Sequence, residues 1–139
     1  MSIPMAEPPD APRPPVLDGA AALATLLVAV ALLRLAPLRL TLAAARTVKC
    51  LAPRPADRDT AMRIVSARDW ASRFLPGRAA CLELSLAAFL AAGLRGRAVD
   101  WCIGCRFMPC ASHAWVEADH QPVGEPDTPD RPYHVTIRI

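Results

Sequence analysis

Cys81-Leu82-Glu83-Leu84-Ser85-Leu86-Ala87, taken together with His113-Ala114-Trp115-Val116-Glu117, decides how this chain is read. The first stretch opens an alanine- and leucine-rich run, residues 79–94, in which Leu82, Leu86, Phe89 and Leu90 recur at helical spacing. The second lies in residues 111–118, a run whose period of two predicts a strand. A thiol at a helix start sits in partial positive charge, which favours thiolate over thiol. Arg78 would add to that effect. An imidazole held beside the thiol takes its proton and later gives it to a leaving group. In the strand, His113, Trp115 and Glu117 share one face, and Ala114, Val116 and Ala118 share the other, which reads as the core side.

A third group usually orients such a histidine. Glu117 shares the face of His113 but lies too far along the strand to touch the ring. Asp119 falls at a turn, and Asp127 lies further on. Glu125 follows Gln121-Pro122-Val123-Gly124, a return of the right length to come level with His113. Spacing therefore favours Glu125, with Asp127 and Asp119 behind it.

Working outward, residues 98–103, 121–123 and 133–139 also read as short strands, so the C-terminal half is a small antiparallel sheet. Upstream, residues 60–74 form an amphipathic helix, with Arg63, Arg68 and Arg73 turned outward and Pro76-Gly77 ending it. Residues 51–59 are a connector holding Pro53 and Pro55. Residues 19–33 form an uncharged helix with Asp18 as its N-cap. Arg34 closes the run, Pro37 breaks it, and a second helix continues over residues 38–50. Fifteen apolar residues are short for a bilayer, which needs about 20. A buried or partner-facing helix pair is the leading reading, and a membrane-associated hairpin competes with it. Residues 1–15 are proline-rich and read as disordered. Helices followed by a helix-on-sheet unit make an α+β fold.

Composition narrows the classes. At 139 residues there is room for one domain, not two full ones. A net charge of +3, with arginines scattered along the chain, does not call for nucleic acid. Five cysteines are an odd count for a closed disulfide framework. No secretory signal is evident, so a reducing cytoplasm is the simplest compartment. There is no glycine-rich phosphate loop, so no cofactor is expected.

The two opening segments, with Pro122-Val123-Gly124-Glu125, resemble the leader peptidases of lasso-peptide biosynthesis, the transglutaminase-like protease halves of the lasso B proteins. The resemblance covers roughly residue 73 to the C-terminus and, more loosely, the helical part before it. It implies a papain/transglutaminase-like core, with Cys81 as nucleophile, His113 as base and acid, and Glu125 where the family often has aspartate. Leu84 stands where arginine is common, and His120 where glycine is. The implied reaction is removal of the leader from a precursor peptide, before a separate ATP-dependent cyclase closes the macrolactam. The family's leader-gripping module needs strands, and residues before Cys81 read as helical throughout. A split system is therefore expected, with a separate leader-binding protein that docks on the helical part. The chain divides into a tail (residues 1–18), an apolar helical region (19–59) and the peptidase core (60–139).

Two alternatives remain open. The same core can pass its acyl group to an amine, as a transglutaminase-like acyl transferase. Cys102, Cys105, Cys110 and His113 could instead form a zinc knuckle in a non-catalytic module, if the chain turned at Ile103-Gly104.

Overall fold

Four helices precede a four-stranded sheet in the computed structural model, which describes residues 12–77, 79–107, 110–125 and 133–139. Helix α1 spans Val16–Leu35, α2 Leu38–Leu51, α3 Arg58–Ser72 and α4 Cys81–Leu94. Strands β3 (Asp100–Arg106), β4 (Ala111–Ala118), β5 (Gln121–Pro122) and β6 (His134–Arg138) form an antiparallel sheet in the order β5-β4-β3-β6. This is the α+β fold expected, with the Cys81 helix packed on a small antiparallel sheet.

Several local readings need correction. Asp18 does not cap α1. The helix begins three residues earlier than expected, after Pro15, and the Asp18 carboxylate is taken up instead by Arg95 and, at 3.4 Å, by Arg63. Helix α3 starts at Arg58 because Asp57 is its cap, accepting from the Thr60 N–H at 3.2 Å. Arg68 does not face solvent. It is 8% exposed, and its guanidinium donates to Asp69 Oδ1 at 2.7 Å and to the Leu84 carbonyl at 3.4 Å. The expected connector contains β1 (Arg54–Pro55), which pairs in parallel with β2 (Arg97–Ala98). This small ribbon ties the end of α2 to the start of the sheet.

The core lies between the helices and one face of the sheet. Leu26 of α1 and Leu86 of α4 are fully buried there beside Trp101 and Val116. Each such leucine contributes about 2 kcal/mol of transfer free energy. Trp101 also needs a polar partner for its indole, and the N–H donates to Ser85 Oγ at 2.9 Å. That bond sets α4 on the sheet, with Cys81 at the helix end nearest the first half of β4.

Candidate active site

The first turn of α4 is left open by its own sequence. Its N-cap is Ala80, which has no side-chain acceptor, so only the return half of a capping box forms: Glu83 Oε2 accepts from the Ala80 N–H at 3.0 Å. The remaining N–H groups of the turn keep their positive ends free. The Leu82 N–H is directed at the Cys81 sulfur, and so is the N–H of Ala114 across the gap on β4.

The Ala114 amide is free to do this because of how short β5 is. Strand β5 pairs only with Glu117 and Ala118, and the Val123 N–H takes the Val116 carbonyl at 3.0 Å. The even-numbered residues of β4 thus turn their backbone groups toward β5, and beyond Val116 no further strand lies along that edge among the described residues. Cys81 fills the vacancy. From there its thiol meets the ring of His113, one residue along.

Cys81, His113 and Glu125 are brought together. His113 Nε2 lies 2.6 Å from Glu125 Oε2, which leaves Nδ1 for the sulfur. The hydrogen bond to His113 is the foremost influence lowering the thiol pKa, against partial burial that raises it. The Ala114 N–H also lowers it. On His113, the bonds to Cys81 and then to Glu125 push the imidazole up to about 9, against desolvation. Both shifts favour a thiolate–imidazolium pair at neutral pH.

Two glycines hold this constellation in place. Gly124 has φ +72°, and a Cβ there would sit 2.5 Å from Val65 Cγ1 of α3. The segment carrying Glu125 is thereby pressed onto α3 at a point where no other residue fits. Gly104 lies opposite His113 in the β3–β4 ladder, and a Cβ there would come within 2.8 Å of Trp115 Cη2. The bare backbone lets the Trp115 ring lie flat beside His113, at a centroid separation of 5.9 Å and an interplanar angle of 16°. Trp115 is fixed in turn by Glu117, which accepts its indole N–H at 3.0 Å and pairs with Arg138 at 2.6 Å. Tyr133 packs against both rings, with its centroid 5.3 Å from that of His113 and 6.1 Å from that of Trp115.

The other candidates fall elsewhere. Asp119 sits at the exposed β4–β5 turn, and Glu117 serves Trp115 rather than His113. Asp127 and Arg78 lie outside the described residues. The zinc set does not converge. Ile103-Gly104 continue the strand instead of turning, so Cys102 and Cys105 project to opposite faces of β3. Cys102 is buried, and its thiol is pushed up to about 12, chiefly by that burial, where a ligating cysteine must be a thiolate. Cys110 is exposed. Among the described residues no group of three or more His, Cys, Asp or Glu side chains is arranged to hold a metal ion.

Sequence reasoning missed Tyr133 and the anchoring role of Glu117. The second was within reach, since Glu117 and Trp115 share a strand face two residues apart. The first was not, because Tyr133 arrives from a distant strand.

A scan of known families matches the transglutaminase-like superfamily over residues 21–138. Comparisons with curated proteins and with solved structures find no match.

Proposed function

Because the chain belongs to the transglutaminase-like superfamily, we propose that it is a cysteine peptidase that removes the leader from a ribosomally made lasso precursor peptide. The observation that carries this reading is the continuous relay from Cys81 through His113 to Glu125. The resemblance of the Cys81 and His113 segments to the lasso leader peptidases supplies the substrate class.

In this reaction the Cys81 thiolate attacks the last leader carbonyl. The Leu82 and Ala114 N–H groups flank the sulfur and are suited to receive the developing oxyanion. The imidazolium of His113 gives its proton to the departing amine as the C–N bond breaks and a thioester remains. A water then attacks the thioester, with His113 Nδ1 taking its proton. The leader leaves as a carboxylate and the thiol is restored. Glu125 holds the ring so that the same nitrogen serves both steps, and Trp115 and Tyr133 keep it partly dry. The released amine is the group a separate ATP-dependent cyclase would join into the macrolactam. A separate leader-binding protein would present the precursor, so the isolated chain should be a poor peptidase until that partner is added.

The test is cleavage of a precursor peptide by this chain with its leader-binding partner, followed by mass spectrometry. Cys81→Ala should lower turnover about a thousandfold or more while the far-ultraviolet spectrum is unchanged. His113→Ala should do the same. Full activity in the Cys81 variant would end the proposal. The superfamily also favours one second reading, transfer of the acyl group to an amine. A new amide on the leader in place of a free carboxylate would select it.

A further inference from the structure

Helix α1 is anomalous for a chain of this size. It is 20 residues long with a mean hydropathy of 2.3 over its most apolar window, yet only 28% of that window is buried. The buried residues, Gly19, Ala22, Thr25, Leu26 and Ala29, face α3 and α4. The outward side reads Leu17, Ala20, Ala24, Leu27, Ala31 and Leu35, at three- and four-residue steps, without a polar side chain. Leu17 is 83% exposed, Leu27 58% and Leu35 85%. An apolar cleft of about 310 Å³ between α1, α2 and α4 runs beside this stripe, lined by Val28, Val48, Leu51 and Leu90. A contiguous surface of this kind marks contact with a protein or a membrane.

Two features decide between them. Protein interfaces are anchored by Trp, Tyr and Arg and carry about one hydrogen bond per 100–200 Å². This stripe consists of Ala and Leu, with no side-chain donor or acceptor and no aromatic ring, which suits acyl chains. Its flanks are also one-sided in charge. Between Asp18 and Asp57 there is no carboxylate, and although Arg34 and Lys49 pair with Glu83 and Asp100, Arg39, Arg46 and Arg54 have no carboxylate partner among the described residues. Arg39 and Arg46 are exposed on α2.

We propose that the α1–α2 hairpin lies flat on an anionic lipid surface, with the outward leucines of α1 among the acyl chains and the arginines of α2 at the headgroups. Helix α1 does not cross the bilayer, because its inner side is part of the folded core. The catalytic end of the molecule is held near that surface. Arg34, at the end of α1, pairs at 3.3 Å with Glu83, two residues from Cys81.

The experiment uses the full chain carrying Cys81→Ala, so that lipid binding is read independently of any peptidase activity. The protein is floated with vesicles of phosphatidylcholine alone and with phosphatidylcholine containing phosphatidylglycerol. Binding is expected to the anionic vesicles and to weaken as salt rises. The triple variant Leu17→Gln, Leu27→Gln, Leu35→Gln should lose affinity at least about tenfold while keeping its melting temperature. Arg39→Gln with Arg46→Gln should remove most of the preference for anionic lipid. In hydrogen exchange, the outward side of α1 and the start of α2 should be protected when vesicles are added. No flotation, flotation unchanged in the leucine variant, or a stable lipid-free dimer dissolved by the leucine substitutions would each overturn the proposal.

Discussion

Helices α1 and α4 are built from nearly the same residues, and the molecule uses them in opposite ways. Both are long runs rich in Ala and Leu with few polar side chains. Helix α4 is enclosed. Leu86, Ala87, Ala88 and Phe89 are all but fully buried, and Glu83 and Ser85, its polar members, each hold a partner. Helix α1 buries one side and leaves the other to solvent. The difference lies in what surrounds them. Helix α4 is clasped by α1, α3 and β4, while no described element packs on the outward side of α1. Composition sets how apolar a helix is, and topology sets how much of it is covered.

The sharpest test of that contrast removes the same atoms from each helix. Leu86→Ala opens a cavity in the core and should cost about 3 kcal/mol, seen as a lower denaturation midpoint with an unchanged slope. Leu27→Ala on the open side of α1 should stay within about 0.5 kcal/mol in the absence of lipid. Equal costs would mean that α1 is covered in solution.

The enclosed region also depends on one backbone position. At Gly124 an alanine must adopt φ +72° and meet Val65 at 2.5 Å. Gly124→Ala should therefore destabilise by about 2 kcal/mol and lower kcat with it, since Glu125 is the next residue. A KM that barely moves would separate this displacement of the acid from a loss of substrate binding. A variant as stable and active as the parent would show that the strand end carrying Glu125 can be re-seated.

Glu125→Gln should act more gently, lowering kcat/KM by about tenfold at neutral pH. Its pH dependence carries more information. His113 is raised to about 9, first by Cys81 and then by Glu125, so the imidazolium paired with the thiolate persists up to that pH and is lost above it. Removing the carboxylate takes away one of the raising influences. The basic limb of kcat/KM against pH should then move to lower pH. A limb that stays in place would assign the control of His113 to another group.

How much of this was legible beforehand follows the same division. The helix-on-sheet layout and the placement of Cys81, His113 and Glu125 could be argued from local period and loop length. The Cys81 run has helical spacing, the His113 run alternates, and Pro122-Val123-Gly124 is a return of fixed reach. What failed depended on distant partners. Asp18 looked like a cap until Arg63 and Arg95 claimed it, and Arg68 looked like a surface residue until the Leu84 carbonyl supplied an acceptor. The zinc reading rested on spacing alone. It gave way once Gly104 proved to be the bare position over which Trp115 lies, and not a turn. The coverage of α1 was equally out of reach, because no pattern within a helix says which of its neighbours will be present.

The smallest effect belongs to the turn that closes β4 onto β5. Asp119 and His120 both have positive φ, +53° and +60°, as a two-residue hairpin turn with the twist of its strands requires. Asp and His enter that region more readily than most side chains, but each still bears a Cβ cost there that glycine does not. His120 is exposed, and no interaction that would offset that cost is seen among the described residues. His120→Gly should therefore stabilise the protein by about 0.5 kcal/mol, because the relief of strain outweighs the extra freedom glycine brings to the unfolded chain. The shift in Tm should be upward and of order 2 °C, with peptidase activity unchanged, since the turn sits at the far end of β4 from His113. A loss of stability would mean that His120 makes a contact in solution that holds the turn. A loss of activity would place the turn in contact with the substrate, and the open end of the sheet would then belong to the substrate path.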